Sequence, residues 1–115
     1  MYDRRIQNEK IFPAFFSPEK QLKRRAEVEK LMLNGEYLHD GASELKYIGD
    51  INSVPALLVV LKKNPPDSKG VMICTAAHAL SALQTITGAK PGIRDEDWND
   101  WWEKYQAERK AKIAQ

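Results

Sequence analysis

The sequence predicts an all-α protein, and three observations lead to that prediction. Apolar residues recur at three- and four-residue steps along most of the chain, which is the period of a helix. Residues that favour helix starts and stops bracket these segments. Alternating segments joined by a tight turn, which would indicate a strand pair, are not found. At 115 residues, the chain has the size of one domain that can bury a core without a disulfide.

The first helix is predicted from Ser17 to about Leu33. Ser17 is a good cap, Pro18 suits the first helical position, and Asn34-Gly35 is a typical stop. A second helix is expected within about 40–48, with Gly49 after it.

The third segment, about 54–63, is apolar around most of its circumference, which indicates an element buried between neighbours. A buried strand is the alternative, because the run Val59-Val60-Leu61 is β-prone. The alanine and leucine content of the segment and its helical flanks favour a helix. A fourth helix is predicted at about 71–86, with alanines that suit close contact between helices.

The fifth helix is predicted to begin after Asp95, and it carries all three tryptophans of the chain. Trp98, Trp101, Trp102 and Tyr105 fall at i, i+3, i+4 and i+7, so they share one stripe. This pattern favours a helix that packs its aromatic side on the rest of the domain over an exposed aromatic platform. Truncation of Trp101 or Trp102 is therefore expected to destabilise the fold by about 3–5 kcal/mol.

Two segments of the chain are similar to each other at an offset of 38 residues. The stretch 43–50 aligns with 81–88, which matches Leu45 to Leu83 and Ile48 to Ile86. This offset lies in the range of two-helix repeats that stack into solenoids.

The repeated segments resemble HEAT repeats, and in particular small bacterial HEAT-repeat proteins. The stretch LKYIGDINSVPALLVVL (45–61) resembles the link between two repeats, and AAHALSALQTITG (76–88) resembles a second helix rich in small residues. The resemblance implies a short right-handed α-solenoid of antiparallel helix pairs over residues 17–112. It would contain about two repeats and a Trp-rich C-terminal capping helix. Such repeats have no family-wide catalytic residues, so neither enzymatic activity nor a cofactor is expected.

The resemblance also implies a partner surface, because second helices line the concave side of HEAT stacks. On that basis the protein is expected to be a scaffold or interaction module that presents a concave helical surface to another protein. The polar residues expected on this surface are Ser43, Lys46, Tyr47, Thr75, His78, Ser81 and Thr85.

A nucleic-acid-binding module of the same fold is the alternative function. Its candidate phosphate contacts are Lys23, Arg24 and Arg25 on the first helix. Glutamates interleave with these residues, and the net charge is only +2, so a solvated helix face is the favoured interpretation.

Cys74 and His78 are one helical turn apart, which is the spacing that a thiol-dependent enzyme or half a metal site needs. The chain has no second cysteine, and His39 is its only other histidine. The sequence therefore favours a small buried thiol beside a histidine. It predicts neither a catalytic residue nor a metal ligand.

The segment 1–16 is expected to be an N-terminal extension with an apolar anchor. Phe12, Phe15 and Phe16 either pack on the domain itself, which is favoured, or dock on another copy of the chain. The first ten residues lack the apolar core of a secretory signal, and one cysteine fits a reducing compartment. A cytoplasmic protein without membrane contact is therefore expected.

Overall fold

The structure, a computed structural model, describes residues 17–114. Over that range it is helical with irregular connections, and it contains no strand. The helices are α1 (Pro18–Leu33), α2 (Leu38–Ile48), α3 (Val54–Lys63), α4 (Cys74–Thr87) and α5 (Asp95–Ala114), and a 3-10 turn (Ile51–Ser53) precedes α3. The prediction of an all-α protein is confirmed, and α3 is a helix rather than the alternative buried strand.

The ends of α1 and α3 lie where the sequence predicts them, but two helices start elsewhere. α2 begins at Leu38, directly after Tyr37, which has a left-handed backbone with φ of 57°. α4 begins three residues later than predicted, because Asp67 holds the preceding loop. The Asp67 carboxylate accepts hydrogen bonds from the backbone N–H groups of Lys69 and Val71, at 2.8 and 2.9 Å. This loop keeps Val71 out of the helix.

α3 lies at the centre of the fold and contacts the other four helices. Six of its ten residues are buried, which explains why apolar residues cover most of its circumference. α4, α1 and α5 contact it most, whereas α2 packs mainly on α4 and α1. The largest fully buried side chains are Val28, Met32, Leu45, Ile48, Val54, Leu57, Val60, Leu61, Leu83 and Trp98, together with Ser53 as the polar member.

An ion pair joins α1 to α2 at the edge of this core. Arg24 donates two hydrogen bonds to the Glu44 carboxylate, both at 2.8 Å, and the Glu44 side chain is only 6% exposed. This pairing raises the pKa of Arg24. The Tyr37 hydroxyl also donates to Glu44; burial first, and then this hydrogen bond, raise the Tyr37 pKa to about 12. Glu44 is thus held by a cation and a neutral phenol.

Gly49 follows α2 at a point where no side chain fits. A Cβ atom placed on Gly49 would lie 2.4 Å from the Leu45 carbonyl oxygen and 2.9 Å from Ile86 Cδ1 on α4. Real Cβ atoms do not approach other heavy atoms so closely. The end of α2 therefore reaches α4 only because residue 49 is glycine.

The Gly49→Ala substitution is expected to destabilise the protein by about 1–3 kcal/mol, because the added methyl group overpacks this contact. Urea unfolding followed by circular dichroism measures the change. Thr85→Ala, on the exposed part of α4, is the control and should stay within about 0.5 kcal/mol of the wild type. If Gly49→Ala were equally neutral, the close contact would not exist in solution.

Candidate functional surface on α2 and α4

The polar residues predicted for a partner surface all lie on two helices that pack side by side. Ser43, Lys46 and Tyr47 belong to α2, and Thr75, His78, Ser81 and Thr85 belong to α4. The contact between these helices is the most extensive helix–helix contact in residues 17–114. All seven residues are at least partly exposed, and Tyr47 is 61% exposed. We call this set the α2–α4 surface.

One end of the α2–α4 surface carries a compact cluster of three side chains. His39 Nε2 on α2 lies 3.2 Å from Cys74 Sγ on α4, and Cys74 Sγ lies 3.3 Å from His78 Nε2. One nitrogen from each histidine and the sulfur lie within 4.8 Å of one another. The two imidazole rings meet edge to face, with centroids 4.6 Å apart. The fold therefore joins the predicted Cys74–His78 pair to a residue 35 positions away.

Asp40 sets the orientation of the His39 ring. The Asp40 carboxylate lies 3.0 Å from His39 Nδ1. A proton on Nδ1 donates to this carboxylate, which leaves the Nε2 lone pair directed at the Cys74 sulfur. The arrangement thus presents one imidazole nitrogen and one sulfur atom, from two different helices, to the same point.

The prediction that Cys74 is buried is wrong, because Cys74 is exposed. Its position explains the difference: it is the first residue of α4, whereas the buried stripe of that helix starts at Ala76. The sequence predicts no role for His39. The 38-residue repeat offset carries the missing signal, since it places His39 opposite Ala77, next to His78. A repeat offset predicts which turns of two stacked helices are neighbours.

The predicted phosphate contacts on α1 (Lys23, Arg24 and Arg25) do not form a common exposed patch. Lys23 is exposed, whereas Arg24 pairs with Glu44 and Arg25 pairs with Asp50 at 3.1 Å. Arg25 also donates to the backbone carbonyl of Ile48. A phosphate group would have to compete with these carboxylates for both arginines. The geometry thus does not favour the nucleic-acid alternative.

The aromatic stripe of α5 is buried to different depths. Trp98 is 0% exposed and donates from Nε1 to the Gly92 carbonyl oxygen at 3.1 Å. Trp101 and Trp102 are partly buried against the core, and Tyr105 stacks on both of them. The stripe does pack on the domain, but only its first residue lies fully inside it.

The predicted apolar anchor, with Phe12, Phe15 and Phe16, lies outside the described residues. Within residues 17–114, none of the helices combines the length and the apolar character that a membrane crossing requires.

Comparisons of the chain with protein-family models, with curated proteins and with solved structures find no match. The resemblance to HEAT repeats accordingly remains a prediction from the sequence.

Proposed function

We infer that the protein is a non-catalytic, HEAT-like helical module that binds another protein through the α2–α4 surface. The observation that carries this proposal is the exposure of that surface. Tyr47 projects with 61% of its surface accessible, beside polar residues of both helices. Tyrosine is among the residues that contribute most to protein–protein binding, because it combines apolar area with a hydroxyl group.

The directions of the helices support a repeat arrangement. Arg24, in the first half of α1, bonds to Glu44 in the second half of α2. Met32, at the end of α1, lies against Gly41 near the start of α2. These contacts support opposite chain directions, as expected for the helix pair of one HEAT repeat.

The contact between α2 and α4 supports the stacking of two such pairs. His39 and Cys74 meet near the starts of these helices, and Gly49 and Ile86 meet near their ends. The two helices therefore run in the same direction, as equivalent helices of successive repeats do. In such a stack the equivalent second helices form one continuous face, which suits a single extended partner.

Photo-crosslinking from the α2–α4 surface tests the proposed function. A photoreactive amino acid at position 47 is expected to capture a discrete partner in an extract of the native cells. The same group at Ala26, which is exposed on α1, is the matched control and should not capture that partner. Tyr47→Ala should then weaken the purified complex by about 30-fold, which corresponds to a hot spot of about 2 kcal/mol. Equal capture from positions 47 and 26 would contradict the proposal.

A further inference from the structure

We propose that His39, Cys74 and His78 form a binding site for a divalent transition metal ion of the zinc class. The fourth coordination position would be open to water or to a ligand from outside the chain. The site goes beyond the proposed partner binding and does not depend on it, since it rests on the geometry of three side chains.

The two nitrogen–sulfur distances within the cluster are close to those of a tetrahedral site. Metal–nitrogen bonds of about 2.0 Å and metal–sulfur bonds of about 2.3 Å place the two ligand atoms about 3.5 Å apart at a tetrahedral angle. The observed nitrogen–sulfur distances are 3.2 Å for His39 and 3.3 Å for His78. The ligand atoms lie within 4.8 Å of one another, whereas the two nitrogens of a tetrahedral site are about 3.3 Å apart. Side-chain rotation that brings the two imidazoles up to about 1.5 Å closer would therefore admit an ion.

The chemistry of the donors selects the class of metal. One thiolate and two imidazoles suit zinc and its neighbours, whereas calcium and magnesium prefer oxygen ligands. The chain contains only one cysteine and two histidines, and the fold brings all three together from two helices. On binding, a Cys74 thiol would lose its proton to solvent and the sulfur would bond the metal as a thiolate.

The surroundings of the cluster also fit a metal centre. The carboxylate of Asp40 on His39 Nδ1 is the outer partner that metal-bound histidines commonly have, and it directs Nε2 inward. His39 and Cys74 are exposed and His78 is partly exposed, so an ion can reach the site. With three protein ligands, the site keeps one position open, as catalytic rather than structural zinc sites do.

A bound ion would link the first turn of α2 to the first two turns of α4. In the fold, the sulfur of Cys74 already lies between the two histidines, and the metal would replace these weak contacts by coordination bonds. Because an unfolded chain does not hold His39 near Cys74, binding stabilises the folded state. The melting temperature is therefore expected to rise with metal concentration.

Cobalt titration of the untagged, reduced, metal-free protein tests the proposal, because Co²⁺ reports both sulfur ligation and geometry in its spectrum. We expect a thiolate-to-cobalt charge-transfer band and intense visible bands of a tetrahedral site, saturating at one ion per chain. Zn²⁺ should displace Co²⁺ and raise the melting temperature. A spectrum of hydrated octahedral Co²⁺ throughout the titration would overturn the proposal.

Substitutions in the cluster distinguish specific binding by these three side chains from nonspecific metal binding elsewhere on the protein. Cys74→Ser should abolish the charge-transfer band. His39→Gln and His78→Gln should each weaken metal binding at least as much as Asp40→Asn does. Asp40→Asn should retain the band with affinity lowered by about 10–100-fold. Thr75→Ala, next to Cys74, is the matched control and should bind as the wild type does.

Circular dichroism and the metal-free melting temperature establish that each variant is folded. The ligands are exposed or partly exposed, so these substitutions should leave the fold intact. Binding that survives in both histidine variants would overturn the site. If the site failed while crosslinking from position 47 succeeded, only the metal proposal would fall.

Discussion

Trp98→Ala is expected to destabilise the protein by about 3–5 kcal/mol, the largest loss from any single truncation on α5. Trp98 is 0% exposed and packs in the core that α3 organises. Truncation removes its buried apolar area, leaves a cavity and deprives the Gly92 carbonyl of its hydrogen bond from Nε1. Urea unfolding followed by circular dichroism measures the difference in the free energy of unfolding.

Other residues of α5 provide a graded control for Trp98. Ile113 is 77% exposed, so Ile113→Ala should change stability by less than about 0.5 kcal/mol. Trp102 is partly buried, so Trp102→Ala should fall between the two. Trp98→Phe retains most of the buried area but loses the hydrogen bond to Gly92, which separates these contributions. If Trp98→Ala cost no more than Trp102→Ala, the burial of the two residues would differ from that described.

For α5, sequence periodicity predicts which side of the helix is buried but not how deeply each residue is buried. The i, i+3, i+4, i+7 spacing places Trp98, Trp101, Trp102 and Tyr105 on one side of a helix, and that side does face the domain. Periodicity alone makes the residues equivalent, so it predicts a large stability effect at Trp101 and Trp102, which are only partly buried. How deeply each aromatic residue is buried depends on how far α5 extends beyond the other helices. The spacing of residues within α5 does not predict this.

The helix boundaries also depend partly on neighbouring residues and partly on residues farther along the chain. α1 has its cap and stop in adjacent residues, and Ser17 does accept a hydrogen bond from the Lys20 backbone N–H. The start of α4 depends instead on the carboxylate of Asp67, several residues earlier in the loop. Composition marks such a loop, but it does not say where the loop ends.

The cluster of His39, Cys74 and His78 was predictable only in part. Cys74 and His78 share a helical face by spacing alone, whereas His39 reaches them through the packing of α2 on α4. Its participation follows from the 38-residue offset once the two helices are placed side by side.

The Arg24–Glu44 ion pair is expected to stabilise the fold, as the burial of Trp98 does. The sequence does not predict this pair. Alternating charges on α1 favour a solvated face, but they do not reveal that one carboxylate of α2 is buried opposite Arg24. Glu44 is 6% exposed and Arg24 is 28% exposed, so the pair lies at the edge of the core. Two parallel hydrogen bonds at 2.8 Å give it the forked geometry that arginine favours.

Arg24→Met is expected to destabilise the protein by about 2–4 kcal/mol at pH 7. Removal of one partner of a buried pair costs about 3–5 kcal/mol, and the partial exposure of Arg24 lowers that value. The cost arises mainly because Glu44 remains buried as a carboxylate and, within residues 17–114, keeps only the Tyr37 hydroxyl as a donor. Lys23→Met is the matched control, since it removes the same charge from the exposed neighbouring position and should be nearly neutral.

A second substitution, at Glu44, tests whether the loss of charge compensation causes the instability of Arg24→Met. In the Arg24→Met/Glu44→Leu protein neither charge remains, and the leucine adds apolar contact at a buried position. Such replacements of whole buried pairs are often neutral or stabilising, so the double variant should recover most of the stability lost by Arg24→Met. Tyr37 is 37% exposed, and its hydroxyl can then bond to water. A double variant as unstable as the single one would show that the pair fixes the α1–α2 contact by geometry rather than by charge compensation.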